Sequence, residues 1–338
     1  MNQLVSTRYR IGPRWSHSIE GTSTVDTPQL VQVKQLADTY QLLDNTFRGA
    51  PDASRQQVRT DFPLFFAANN LRNRRVISHN GQVICHAGFS PLSLKLGNVT
   101  LKTAVVVLVA THPDYRRRGC AALCMKSLQQ QLQDEGYDLG ILWTGVPGFY
   151  EPLGWKTAAP PGRYLNPIAA GLPCLNHHLT STPPFEIQKY SESHHFHDVM
   201  TLQRCQPVRT MRSPADFRQL LSLPRIQAWA IQRKTLDAYV VTGTAVNKYG
   251  ILEYAGRADD ILAGIAKLVQ EQRLAPDAPL PVFGTDSKMA SLLHAHQIPM
   301  TPLVSSKGRG TEMRLILDRQ RVNSVVEHEL FVWGLDWA

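Results

Sequence analysis

Arg116, Arg117 and Arg118 run into Gly119 at a point where two patterns meet. Before them lies Val105-Val106-Val107-Leu108-Val109, a continuous apolar run of the kind expected for a strand covered on both faces. After them Ala121, Met125, Leu128 and Leu132 recur at i, i+4, i+7 and i+11, one face of a helix. Gly119 therefore opens a helix, where the first N–H groups lack intrahelical acceptors and the helix dipole adds partial positive charge. A glycine lets an anion approach the backbone, and three guanidinium groups add full charges. Together these residues make a phosphate cradle.

The cradle is not a nucleotide-triphosphate loop, because Cys120-Ala121-Ala122 stands where a Lys-Ser or Lys-Thr pair would hold phosphate and magnesium. The glycine-rich dinucleotide pattern is missing as well. Arg116-x-x-Gly119-x-Ala121 behind a strand resembles the coenzyme A signature of the GNAT superfamily of N-acetyltransferases. The downstream Phe149-Tyr150-Glu151-Pro152-Leu153-Gly154-Trp155 is similar to that superfamily's closing segment, in which a tyrosine protonates the departing thiolate. The resemblance implies acetyl-CoA as co-substrate, no metal, and a primary amine as acceptor.

A chain of 338 residues suits two units, and 43% hydrophobic content gives it ample core. The longest apolar run, Ala104 to Ala110, is too short to cross a bilayer, and the N-terminal residues lack a secretory apolar core. Five scattered cysteines form no C-x-x-C pair, which argues against a metal or disulfide framework and for a reducing cytoplasm. Cys120 reads as a small filler beside the cradle. The net charge of +9 comes from dispersed residues, not from the long stripe that nucleic-acid binding would need. A basic surface also attracts polyanionic coenzyme A.

Taken in order, residues 1–28 are an extension, Val31 to Leu36 alternates like a strand, and two helical stretches follow, the second over Ala53 to Asn69. In acetyltransferases of this type these helices lie over the acceptor groove. Asn80-Gly81 joins Arg74–His79 to Gln82–Phe89 as a hairpin, and strands at Val99–Thr111 and Leu139–Thr144 flank the Gly119 helix. The order β-α-α-β-β-β-α-β-α-β matches the acetyltransferase fold. The second half repeats it more weakly, ending in a strand at Glu312–Leu317. The expected fold class is α/β (α+β), two GNAT folds in tandem, each a mixed, mostly antiparallel sheet flanked by helices. The division is a catalytic unit over 29–165 and a degenerate copy over 166–338. Asp259 and Asp260 open the second copy's helix without a basic cluster, so that copy should repel a pyrophosphate.

Carried over position by position, the resemblance puts pantetheine against the backbone of Val109, Ala110 and Thr111. It puts the pyrophosphate at Arg116, Arg117, Arg118, Gly119, Cys120, Ala121 and Ala122, with Gly145 and Val146 as further contacts. Tyr150 matches the proton donor, and a phenol with a pKa of about 10 keeps its proton at neutral pH. Relatives place a glutamate on the strand that here reads TLKTAVVVLVAT, and no carboxylate stands there. His79, His86 and His112 are possible bases, though each also reads as a packing or turn residue. The aromatic ending FVWGLDWA offers another, Ala338. In the similar enhanced-intracellular-survival acetyltransferases a terminal carboxylate enters the active site, although their third, sterol-carrier-like unit has no room here. The expected activity is acetyl transfer to the primary amine of a small molecule. A protein or peptide amine, and a non-catalytic acyl-CoA-binding regulatory module, are the alternatives. Oligomeric state and acceptor identity are not encoded in any motif.

Overall fold

The structure, a computed structural model, describes residues 27–49, 58–158, 162–165, 176–177, 180, 183–245, 248–283, 288–295, 298, 300–302, 311–325 and 334–337. A short strand β1 (Gln29–Leu30) leads through a 3-10 turn at Val33–Gln35 into helix α1 (Leu36–Phe47). The strand expected at Val31–Leu36 is thus confined to two earlier residues. The Gln35 side chain accepts from the Gln32 N–H and commits the segment to a helical turn. The single helix expected over Ala53 to Asn69 falls partly outside the described residues. The rest divides into α2 (Val58–Asp61), α3 (Pro63–Phe66) and a 3-10 stretch, Ala68–Asn73. Pro63 is the cause: it disfavours helical backbone at Phe62, which sits at φ −127°, and lacks an N–H of its own.

Strands β2 (Arg74–His79) and β3 (Gln82–Leu96) form the expected hairpin, with Asn80 and Gly81 both at positive φ. Next come β4 (Val99–Thr111), α4 (Cys120–Asp134), β5 (Leu139–Thr144), α5 (Pro147–Tyr150), β6 (Lys156–Thr157) and β7 (Gly162–Leu165). The second half contributes β8 (Glu186–Lys189), α6 (Glu192–Cys205), β9 (Val208–Thr210), α7 (Pro214–Leu221), β10 (Ile226–Gln232), β11 (Leu236–Ala245) and β12 (Lys248–Gly256). It ends with α8 (Ala258–Gln270), β13 (Leu280–Phe283), α9 (Lys288–Ala295), β14 (Thr301–Pro302), β15 (Thr311–Ile316) and α10 (Arg319–Asn323).

The first sheet runs β1-β2-β3-β4-β5-β15-β6, with β9 also on β3, and only the β4–β5 pairing is parallel. Helices α1 to α3 cover one face through Leu42, Leu43, Val58 and Phe65. Helix α4 covers the other through Cys124, Met125, Leu128 and Leu132. A second, antiparallel sheet is β12-β11-β10-β8, and a third is β13-β7-β14.

The two halves exchange strands. β15, expected to close the second half, lies between β5 and β6, where Met313 and Leu315 join the core of Trp155 and Met125. β7, counted with the first half, pairs with β13 and β14. The sheets therefore do not separate at residue 165. Alternation along β15 fixes which of its faces is apolar but leaves open which sheet it joins.

Candidate active site

β4 and β5 pair only from Thr103 opposite Leu139 to Val105 opposite Ile141. Beyond that they diverge. Among the described residues, the edge of Val106 to Thr111 that faces β5 has no strand partner. The other edge pairs with β3 through a bulge, since His86 faces Ala110 and Gly88 faces Val107. Leu108 in the bulge adopts φ +56°, a left-handed conformation costly for a branched side chain. Its effect on packing is plain. Ala104 and Val106 face α4, whereas Leu108 and Ala110 face α1–α3, so one extra residue turns the strand over.

A buried histidine holds the bulge. His86 is 0% exposed, and its Nδ1–H donates to the Leu108 carbonyl at 2.8 Å. The carbonyl can only accept, so Nδ1 carries the proton and Nε2 a lone pair. Burial, with Arg74 adding to it and the Leu108 carbonyl opposing, lowers the imidazole pKa to about 4. His112 instead accepts from the Asp114 N–H at 3.4 Å, the turn role the sequence suggested, and His79 lies against Tyr115.

At the end of β4 the turn reaches α4 through Arg117 at φ +60° and Gly119 at φ +82°. A Cβ on Gly119 would meet no atom within 4 Å, so the backbone conformation rather than crowding calls for glycine here. The first helical bond runs from the Leu123 N–H to the Gly119 carbonyl. The N–H groups of Gly119, Cys120, Ala121 and Ala122 have no acceptor among the described residues and open the helix as a free donor set. Arg116, Arg117 and Arg118 are exposed. Arg118 stacks over Tyr115 at 5.0 Å, and Arg116 Nε donates to the Thr111 carbonyl at 3.3 Å, turning back on the strand end. Cys120 is buried beneath this turn.

Tyr150 ends α5 and is 7% exposed, its ring edge-on to Phe149 and Trp155. Burial raises its pKa to about 12, with Thr144 at the end of β5 opposing. Val146 is exposed, and its N–H donates to Thr144 Oγ1 at 3.0 Å. The strand exchange adds a carboxylate missing from β4. Glu312 on β15 lies opposite Trp143 of β5, and burial raises its carboxyl pKa against the pull of Arg314, whose Nε donates to it at 2.9 Å. No local signal in the sequence tied Glu312 to this sheet. Ala338 and Trp333 lie outside the described residues, and no group of three or more metal-ligating side chains occurs among the described residues.

The family model for an acetyltransferase (GNAT) domain matches residues 28–158, the span that holds the splayed strands, the helix start and Tyr150. Residues 28–158 are thus a GNAT-type acetyltransferase domain. No curated protein matches it. Among solved structures, a GCN5-related N-acetyltransferase from Kribbella flavida is 15% identical at a TM-score of 0.65, covering 90% of this chain and 74% of that one. Eis1 from Mycobacterium abscessus is 13% identical at a TM-score of 0.53, covering 87% and 74%. N-myristoyltransferase from Saccharomyces cerevisiae, solved with myristoyl-CoA, is 10% identical at a TM-score of 0.54, covering 88% and 81%. At such identities these neighbours establish the fold over most of the chain, and the GNAT domain itself rests on the family match.

In the second half, α8 opens on two aspartates, Asp259 and Asp260. Asp260, in the first turn of α8, is buried and pairs with Arg233 at 2.8 Å and Arg257 at 3.5 Å. Its carboxylate already faces the positive end of the helix.

Proposed function

We propose that the chain is an acetyl-CoA-dependent N-acetyltransferase working from the first sheet, with a small molecule bearing a primary amine as acceptor. The observation that carries this reading is the free edge of β4 leading straight into unpartnered amides at Gly119. An extended pantetheine arm can add to that edge as a strand would, and a diphosphate suits the helix start. Arg116, Arg117, Arg118, Cys120, Ala121 and Ala122 surround that start, and Val109, Ala110 and Thr111 supply the edge.

In the reaction the amine nitrogen attacks the thioester carbonyl, the C–N bond forms and the C–S bond breaks. A backbone N–H of the bulged β4 segment polarises the carbonyl oxygen. Tyr150 gives its proton to the departing sulfur, and its raised pKa keeps that proton in place at neutral pH. The amine's proton leaves to a carboxylate, which this proposal places at Ala338. The two aspartates that open α8 support a second half that does not take coenzyme A.

The lack of a carboxylate on β4 favours one rival, a module that binds acyl-CoA and has lost the chemistry. Thiol release from acetyl-CoA, measured across a panel of amines, separates the two. Release with at least one amine is the expected result. Tight coenzyme A binding with no release from any amine would favour the module.

A further inference from the structure

Arg74 opens β2 and is 1% exposed, yet its Nε and Nη1 have no hydrogen-bond partner. No carboxylate among the described residues pairs with it. The guanidinium lies over Phe65 at 5.7 Å and Phe66 at 5.4 Å, on the α1–α3 face of the sheet. Burial lowers its pKa, with the Tyr40 phenol opposing. The Tyr40 hydroxyl and the two aromatic faces offset the cost of this buried cation only in part, and Nε and Nη1 remain able to donate to an anion.

The neighbouring strand carries a complementary group. Arg74 stands opposite Gly88 and Val76 opposite His86, so Arg74 and His86 are diagonal neighbours on the same face. Phe65 touches both, its ring 6.0 Å from the His86 ring. His86 Nε2 is also buried without a partner, and it presents a lone pair because Nδ1 is tied to Leu108. Gly88 keeps the space between them small: a Cβ there would come within 2.7 Å of Phe65 and 3.0 Å of Arg74. A cationic donor set and a neutral acceptor thus lie on adjacent strands as diagonal neighbours, about 7–8 Å apart at the backbone, with His86 next to the bulge.

We infer that Arg74 and His86 form the acceptor subsite and select a primary amine that carries a carboxylate a few bonds away, as in a free amino acid. The carboxylate accepts from Arg74 and the amine donates to His86 Nε2, which holds its nitrogen toward the bulge of β4. The positive charge of Arg74 also favours the unprotonated, nucleophilic form of the amine. Access requires the short α3 turn bearing Phe65 and Phe66 to lift. This assignment rests on the acetyltransferase reading above, which the test is built to separate from it.

The test uses the full chain, the twenty amino acids and their carboxamides, with two readouts. One is thiol release from acetyl-CoA. The other is calorimetric binding of each compound to the protein loaded with coenzyme A. At least one amino acid should be used or bound at least about tenfold better than its carboxamide, the effect of a hydrogen bond to a charged group. Arg74→Gln should abolish that preference while leaving the KM for acetyl-CoA unchanged, and Arg74→Lys should keep part of it. Acids and amides treated alike, or a preference that survives in folded Arg74→Gln, would overturn the subsite. Should Arg74→Gln fail to fold, the wild-type ratio and Arg74→Lys decide. Selective binding of acids without thiol release would uphold the subsite and overturn acetyl transfer. Release from amines regardless of a carboxylate would do the reverse.

Discussion

The surroundings of Tyr150 suit core packing and, on the proposed mechanism, proton donation as well. Its ring sits among Phe149 and Trp155, as any core aromatic would, while burial holds the phenolic proton more tightly than in water. A packing role and a proton-donating role respond differently to loss of the hydroxyl. Tyr150→Phe keeps the ring, so coenzyme A affinity and melting temperature should stay near wild type. Turnover should fall by about a hundredfold or more, as for loss of a general acid. Unchanged turnover would remove Tyr150 from the mechanism. At this scale the sequence marked the helix start at Gly119 and the exposed arginines before it by residue type and spacing, and the role of Tyr150 belongs to the proposal. Arg74 and His86 were not readable in the same way, because burial without partners is a property of the folded neighbourhood.

At the scale of the element, the decisive feature is the bulge that turns β4 over. The apolar run Val105 to Val109 announces a strand, but no glycine or asparagine marks the left-handed residue, which is a leucine. The break of the second helix was marked by Pro63, whereas the partner of β15 had no mark at all. The bulge depends on His86, and that dependence has a pH signature. In the folded state His86 stays unprotonated down to about pH 4, chiefly because burial penalises its charge. In the unfolded chain it takes up its proton at about pH 6.5. With the folded pKa depressed, the stabilisation is fully present above about pH 6.5 and is lost as pH falls through the interval to about 4. Denaturant titrations at about pH 7.5 and about pH 4.5 should show wild type losing about 2.5 kcal/mol more than His86→Asn. Equal losses in the two proteins would show that His86 does not stay neutral in the fold.

For the whole molecule, the exchange of β7 and β15 makes each half incomplete without the other. Asp61 of α2 adds a cross-link, pairing with Arg48 and with Arg225 of the second half. Farther on, buried Arg212 is held by Glu253 at 2.6 Å and Asp336 at 2.7 Å. Burial works against its charge, but the two carboxylates outweigh it and raise the guanidinium pKa. Tyr239 donates to Glu253 and Thr210 to Asp336, which completes the anchor of the tail. Replacing Arg212 by Met leaves two buried carboxylates unpaired and should cost about 3–5 kcal/mol in denaturant unfolding. Deleting only Trp337 and Ala338 leaves that anchor in place. On the proposed role of Ala338, the truncated protein should fold and bind coenzyme A yet lose turnover, and full activity after truncation would shift the base elsewhere.

On the proposed function, the amides opening α4 at Gly119, with the guanidinium groups beside them, grip the diphosphate of coenzyme A. Calorimetric titration of coenzyme A into wild type and into the Arg117→Glu, Arg118→Glu double variant tests it most directly. Saturable heat is expected with wild type and an affinity at least about tenfold weaker with the variant, the loss growing as salt is lowered. No heat with wild type, or equal affinity in the two proteins, would contradict it.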